Sequence, residues 1–399
     1  MNDIEALIKS LIKDLSTTAV AWKELGEVCE FKRGKSLTSK NAVTGDVPVI
    51  SGGQKPAFMH NAANRIGETI VVAGSGAYAG FVSYWKQPIF VSDAFSVDVK
   101  NFQEVSTRYV YHFLLNNQQK IYATKSGAGI PHVYGKNIAK FPIPLPPLKI
   151  QEKIVQILDK FTDYVTELTA ELTLRKKQYT YYRDKLLSFE NDVYQVEWKS
   201  LGEVAESTQN ISWKEQAGQV FNYIDLSSVD RVSKKITETT EITKDTAPSR
   251  AQRIVKENDI IFGTTRPTLG RYTKISQEFD NQICSTGFYV FRASDKVLPN
   301  YVYHIFASND FNKYVEENQS GASYPAISNS LVEQYKIPLP SPAIQSRIVQ
   351  VLDNFDTVCH DLNIGLPKEI EQRKKQYEFF RDKLLTFTAE GVYTESRVE

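Results

Sequence analysis

The chain has 399 residues, 41% of them hydrophobic and 12% aromatic, and a formal net charge of +1, which allows two or three ordinary cores and excludes a generic polycation. Its three cysteines, Cys29, Cys284 and Cys359, lie far apart, which excludes a zinc knuckle or a disulfide framework and fits a reducing cytosol. Asp3 and Glu5 interrupt any early apolar run, so no secretion signal is expected, and no stretch approaches the roughly 18 apolar residues of a membrane span; a soluble cytoplasmic protein is the expectation.

Residues 1–21, with IEALIKSLIKDL, predict an amphipathic helix. A first globular unit follows over 22–147 and opens on Trp22-Lys23-Glu24-Leu25-Gly26-Glu27-Val28. Short β-type runs stand at 47–50, 69–73, 80–85, 89–91 and 95–99, where aromatic and β-branched residues alternate with glycine and polar turns, so a curled sheet is predicted. A short helix is predicted at 109–116, then a glycine-containing loop, Ser126-Gly127-Ala128-Gly129-Ile130-Pro131-His132, and a proline-rich strand exit at 142–147.

Residues 148–190 predict one continuous helix. Its apolar positions step by four and three through Ile154, Leu158, Phe161, Val165, Leu168 and Leu172, then Tyr179, Tyr182 and Leu186, with only Arg175 interrupting the seam. About 40 residues at 1.5 Å each span roughly 60 Å.

From residue 191 the same order returns. Trp198-Lys199-Ser200-Leu201-Gly202-Glu203-Val204 opens a second unit over 191–340, with β-type runs at 220–224, 259–262, 271–275 and 287–291 and a helix at 301–308. Its loop is Ser320-Gly321-Ala322-Ser323-Tyr324-Pro325-Ala326, and its exit lies at 338–342. The second helix, over 341–388, carries Ile348, Leu352, Phe355, Cys359, Leu362, Leu366, Ile370, Arg373, Tyr377, Phe380 and Leu384, and a tail of 389–399 follows. Four extra residues holding Gly365 and Pro367 separate the two helix copies, so a break near Gly365 and a restart at Pro367 are predicted.

Helices with matching stripes and an intervening globular unit most simply pack antiparallel. The expected fold class is α+β: two similar units with curled β-sheets, separated by a pair of long antiparallel coiled-coil helices in a pseudo-twofold internal repeat. Units at opposite ends of such a pair would lie more than one turn of B-DNA, about 35 Å, apart.

Charge is uneven. Between residues 22 and 146, 14 Lys/Arg face 8 Asp/Glu, a net of +6; residues 198–340 hold 16 against 17, but 244–274 within them has seven basic and three acidic residues. Basic globular units suit a polyanion, although ordinary surface scatter gives the same counts. Catalytic signatures are missing. Gly129 to Gly135-Lys136-Asn137 has the wrong spacing for a phosphate loop, and Pro146-Pro147 follows Leu145 rather than the Asn/Asp of an adenine methyltransferase loop. Asp98-Val99-Lys100 stands alone, and the five histidines are scattered, so neither a catalytic nor a metal set is expected.

The paired Trp-Lys-x-Leu-Gly-Glu elements, the paired proline exits, the paired Q-x-x-I-V-x-x-L-D-x-F helix starts and the paired R-K-K-Q-Y…R-D-K-L-L ends occur in the same order twice, over nearly all of the chain beyond about residue 20. In that combination the chain resembles the specificity subunit of type I restriction–modification systems. The resemblance implies two target-recognition domains, each reading one half of a split double-stranded DNA sequence, and helices that set the spacing and dock methylation subunits, two of them. Restriction subunits would join the same complex. S-adenosylmethionine, ATP and Mg would then belong to those partners, and this chain would be non-catalytic and carry no cofactor. The extra helix at 1–21 departs from the repeat, and packing against the C-terminal helix would close the ring of repeats.

The family has no fixed base-contacting motif, so candidates follow from chemistry: Arg, Lys, Asn, Gln and small hydroxyl residues on loops, differing between repeats. In the first unit these are Arg33, Lys35, Gln54, Lys55, Ser75, Tyr78, Lys86, His132 and Asn137. In the second they are Arg250, Gln252, Arg253, Thr264, Thr265, Arg266, Arg271, Ser323 and Tyr324, with Arg266 first, because Gly263-Thr264-Thr265-Arg266-Pro267 reads as a turn between strands. For the helices, Arg175, Tyr179, Arg373 and Tyr377 are candidate docking residues; a snorkelling core charge is the alternative for the two arginines. Other readings are a coiled-coil scaffold with carbohydrate- or peptide-binding units, a half normally fused to a restriction enzyme, and a decoy subunit without DNA readout.

Overall fold

The computed structural model describes residues 2–16, 18–127, 129–189, 196–361 and 363–386, which leaves Leu362 and the tail over 389–399 outside the described residues. The first repeat runs α1 (Asn2–Ser16), β1 (Ala21–Glu24), α2 (Leu25–Val28), β2 (Cys29–Arg33), β3 (Val47–Ile50), β4 (Phe58–His60), β5 (Thr69–Ala73), β6 (Val82–Trp85), β7 (Phe90–Val91) and β8 (Ala94–Val99). It continues with α3 (Thr107–Asn116), α4 (Gln118–Ala123), α5 (Gly135–Ile138), β9 (Pro142–Leu145) and the 41-residue helix α6 (Leu148–Ser188). The second repeat runs β10 (Glu197–Ser200), β11 (Ala205–Glu206), β12 (Phe221–Ile224), β13 (Thr240–Ile242), β14 (Ala251–Ile254), β15 (Ile260–Gly263), β16 (Tyr272–Lys274), β17 (Ile283–Ser285) and β18 (Phe288–Ala293). Then come α7 (Pro299–Ala307), α8 (Asn309–Asn318), α9 (Asn329–Gln334), β19 (Lys336–Leu339), α10 (Pro342–His360) and α11 (Leu366–Leu385).

The chain divides into two compact units, residues 1–166 with 372–399 and residues 167–371. The division cuts both helix copies, so the RKKQY end of each repeat belongs to the unit built on the other repeat. In each unit the Trp-Lys strand pairs antiparallel with the proline exit: Trp22 faces Pro144 between β1 and β9, and Trp198 faces Pro338 between β10 and β19. Proline lacks a ladder donor and is tolerated there because each of these sheets has only two strands. A buried tyrosine closes each exit: Tyr109 donates to the Pro144 carbonyl at 2.8 Å, and Tyr301 to that of Pro338 at 3.0 Å.

Each unit holds two further sheets rather than one curled sheet. The first has the order β2-β8-β5-β6 and the second β11-β18-β15-β16, the same antiparallel topology. The other sheet is β4-β3-β7 in one unit and β13-β12-β17-β14 in the other, with a parallel β3–β7 or β12–β17 pair in each. The second unit therefore carries one more strand, β14, where the first has the single bridge Arg65–Ile89.

The helices start from a shared buried device. Gln151 accepts from the Ser106 amide and donates to the carbonyls of Glu104 and Pro146, and Gln345 accepts from Leu298 and donates to Lys296 and Pro340. Within the first unit α6 and α11 pack antiparallel: Phe161 stacks on Phe380 at 5.2 Å, and the Arg373 guanidinium lies 5.9 Å from the Tyr164 ring. Within the second, Tyr182 stacks on Phe355 at 5.8 Å and Tyr179 meets His360 at 5.9 Å, so α6 and α10 are antiparallel too. α10 stops at His360 and α11 starts at Leu366; a Cβ on Gly365 would meet the Thr357 carbonyl oxygen at 2.5 Å, so only glycine fits the bend. Ile8, Leu11 and Leu15 of α1 are buried in the same cluster as Ile150, Ile154, Ile157, Leu384 and Leu385, and Lys153 pairs with Asp14 at 2.5 Å.

Candidate nucleic-acid interface

Two loops meet in each unit and are fastened in the same way. In the first, the turn after β5 bridges Ser75 to His132, the Gly76 amide donates to the Pro131 carbonyl at 3.0 Å, and that of Val133 to Gly74 at 3.0 Å. In the second, Thr265 bridges to Ala326, the Arg266 amide donates to Pro325 at 2.7 Å, and that of Ile327 to Thr264 at 3.0 Å. The glycine loop of each unit closes on itself through Ser126–His132 and Ser320–Ala326, and Gly127 and Gly321 take positive φ angles of 112° and 102° there. The backbone is common to both; the side chains it presents are not. Ser75, Gly76, Ile130 and His132 stand where the second unit has Thr265, Arg266, Tyr324 and Ala326.

Arg266 is exposed and takes the left-handed conformation, φ 49° and ψ 57°, at the place Gly76 fills with φ 85°. A side chain there costs about 1 kcal/mol or more that glycine avoids. That guanidinium lies 4.5 Å from the ring centroid of Tyr324, itself exposed, which orients both outward. Arg271 and Lys234 lash the loop from beneath: Arg271 Nη1 donates to the carbonyls of Leu226 and Val229 at 2.7 and 2.6 Å, and Lys234 Nζ to that of Gly270. Burial pulls the Lys234 ammonium down to about 8.

In the first unit a 360 Å³ cleft brings together Arg33, His132, Tyr134 and Lys136 above Phe31 and Asp93. The His132 and Tyr134 rings stack at 6.1 Å, and Lys136 Nζ lies 5.8 Å from the Tyr134 ring. A basic-aromatic set of this kind suits the faces of bases and the phosphates between them. Tyr134 and Lys136 were absent from the expected set, although the interleaving His132-Val133-Tyr134-Gly135-Lys136 was there to be seen.

The remaining candidates divide by exposure. Lys35, Gln54, Lys55, Tyr78, Lys86, Arg250, Gln252 and Ser323 are exposed, Gln252 with its amide donating to the Ser249 carbonyl. Asn137, Thr265 and Arg253 are half-buried, and Arg253 sits on β14 with its Nε buried and without a partner among the described residues. Two are turned inward: Thr264 is buried and donates to the Gly287 carbonyl at 2.9 Å, and Arg271 holds the loop beneath Arg266. Ser75, half-buried, donates to the Asp93 carboxylate at the surface.

On the helices the expected seam charges also find partners. Arg175 donates from Nε to Glu171 at 2.8 Å and from Nη1 to Gln178, on an exposed face and outside any core. Arg373 lies against Tyr164 and reaches Gln376 at 3.0 Å. Tyr179 is buried and within 3.2 Å of His304 Nδ1; Tyr377, half-buried, holds His112 Nδ1 at the same distance, and burial pushes its hydroxyl up to about 12. Both tyrosines serve the interior of their own units, and the exposed aromatics on α6 are Tyr164, Tyr181 and Tyr182.

Residues 19–175 and 195–372 each match the family described as the type I restriction modification DNA specificity domain. The chain belongs to that family. A type I restriction enzyme specificity subunit of Escherichia coli, EcoR124I/EcoR124II, is 28% identical over 94% of this chain and 96% of its own. Another from Methanocaldococcus jannaschii is 25% identical over 77% of this chain and 76% of its own. The crystal structure of the type I system S subunit of M. genitalium has the same fold at a TM-score of 0.59, with 17% identity over 96% of this chain and 98% of that one. A chain from a structure on assembly and conformational transition of the type I system aligns at 0.58, with 17% identity over 92% of this chain and 97% of that one. The resemblance read from the duplicated motifs is thus confirmed at the level of family and of α+β fold class.

Proposed function

We propose that this chain is the DNA-reading subunit of a type I restriction–modification complex, each unit reading one half of a bipartite double-stranded target. One observation carries the reading: two loops fastened by the same backbone bonds present different side chains, Ile130 and His132 in one unit and Arg266 and Tyr324 in the other. A shared backbone with exchanged polar and aromatic tips is what two half-sites of different sequence require. Arg266 forks onto a guanine edge in the major groove; Arg33, Lys136 and His132 serve the first half-site, together with the other exposed candidates. The chain acts without a catalytic step of its own. Methylation subunits, two per chain, dock on the helices and bring S-adenosylmethionine, and restriction subunits bring ATP and Mg. The complex works in the cytoplasm; among the described residues no helix is long and apolar enough to cross a membrane.

The test is to co-express the chain with its neighbouring methylation subunit and map methylated adenines across the host genome. Two short defined blocks around a fixed unspecified gap are expected. Random or absent methylation by a stable complex would reduce the chain to a scaffold or decoy.

A further inference from the structure

Where the second unit presents Arg266 the first has a glycine, and a neighbouring position is filled instead. The Gly74 amide donates to the Asp93 carbonyl at 3.2 Å, and the Thr264 amide to the Gly287 carbonyl at 2.8 Å. The strand pairs agree, since Ala73 faces Ala94 where Gly263 faces Phe288. Asp93 and Gly287 are thus one backbone position, as Gly76 and Arg266 are another. Leu226 crowds that position in the second unit: a Cβ on Gly287 would meet its side chain at 3.0 Å. One unit presents a carboxylate and no guanidinium, the other a guanidinium and no carboxylate.

The fold does not call for the carboxylate, because the second unit fastens the same loops without a side chain there. Asp93 is exposed, and its Oδ2 accepts from the Ser75 hydroxyl. Among the described residues Oδ1 has no partner and Asp93 makes no ion pair, although Arg33 and Lys136 line the same cleft. A carboxylate on a surface that meets DNA is repelled by the phosphates unless a base donates to it. In the major groove only the N4 amine of cytosine and the N6 amine of adenine donate. Adenine sets its N7 acceptor beside that amine, facing a group that itself only accepts, and guanine and thymine offer acceptors alone. Cytosine is the base that fits.

We infer that Asp93 reads a cytosine of the first half-site through its N4 amine, with Arg33 of the same cleft as the donor for the paired guanine. The two half-sites then differ in polarity at neighbouring places of one shared backbone, a donor edge under Asp93 and an acceptor edge under Arg266. This rests on the DNA reading proposed above and names the base that the first unit selects.

The full chain, co-expressed with its methylation subunit, is compared with Asp93→Asn and Asp93→Ala by mapping methylated adenines. Asparagine keeps the size of the side chain and an oxygen for Ser75, and exchanges one acceptor for a donor. The unaltered chain should show a fixed C·G pair in the half-site that Arg266→Ala leaves intact. Discrimination at that pair should fall about tenfold or more in both variants, and Asp93→Asn should admit adenine, whose N6 and N7 match an amide. All other positions keep their preference. Non-specific duplex binding by the purified complex should tighten in both variants, since a charge that repels phosphates is gone; loss of a mere brace would weaken it. A split motif with every preference unchanged in both variants, with or without a uniform loss of methylation, would overturn the role of Asp93 alone. No split motif from the unaltered complex would overturn the DNA reading itself, and this inference with it.

Discussion

The Tyr377 hydroxyl sits 3.2 Å from Nδ1 of His112, 265 positions earlier in the chain, and Tyr179 makes the same contact with His304. The opposite ring nitrogens face Asp159 at 2.8 Å and Asp353 at 2.7 Å. A carboxylate only accepts, so Nε2 carries a proton in both; burial of His112 favours its neutral form, in which Nδ1 accepts from the Tyr377 hydroxyl. The RKKQY motif of each repeat thus ends its work in the unit of the other repeat. Removing the hydroxyl in Tyr377→Phe leaves Nδ1 buried and without its donor, at a cost of about 1–3 kcal/mol. Faster amide exchange is expected in α3, at Val110 and Phe113, with the second unit unchanged.

The same histidine makes the first unit sensitive to mild acid. Burial holds His112 below its ordinary 6.5, against the pull of Asp159. The unfolded chain therefore takes up the proton first, and stability present above about pH 6.5 falls as pH drops from there toward the folded value. Asp159, which burial would raise, is instead held below 3.8 by His112 and Arg108, so its contribution is lost only in stronger acid, below that value. Thermal unfolding of the first unit should move down between pH 7.5 and 5.5, and His112→Gln should flatten that slope while lowering the transition at pH 7.5. An unchanged slope would remove His112 from this role.

Gln151 and Gln345 make a third expectation. Each is fully buried and satisfies one amide and two carbonyls where a globular part meets its helix. Gln→Ala at either leaves those groups unpaired, about 1–3 kcal/mol each by the usual penalty for a buried orphan. Each change should lower only its own unit's transition, read as separate protease-resistant fragments.

The duplication was legible because its marks are local. The run at 69–73 is β5, whose five residues are all buried, and apolar runs of that kind need no partner to be recognised. The division into two sheets per unit was not legible, since β12 and β17 pair in parallel across about sixty residues, a non-local choice. The extra strand β14 was missed because Ala251-Gln252-Arg253-Ile254 shows weak alternation. In the candidate surface, residue type pointed to loops but not to side-chain direction. Thr264 and Thr265 are neighbours of like chemistry, and only the fold turns the first inward to the Gly287 carbonyl. Tyr179 and Tyr377 show the same limit: the sequence gives an aromatic on a helix, and only the fold sets each against a buried histidine.

Arg266 and Gly76 allow readout and stability to be separated. Arg266→Ala keeps the left-handed strain and removes the guanidinium, so it should cost about 1–3 kcal/mol of discrimination at one base position. Arg266→Gly removes the guanidinium and the strain together. It gains about 1 kcal/mol from the freed backbone and gives up about 0.5–1 kcal/mol from the lost stacking on Tyr324, so stability is nearly unchanged. Methylation mapping of both variants should show the same relaxed position in one half-site, with the other half-site intact. If Arg266 acted only through the stability of the loop, the glycine variant, whose stability is nearly unchanged, would keep full discrimination while the alanine variant lost it. Readout that tracks the guanidinium and is indifferent to the strain identifies Arg266 as a base reader.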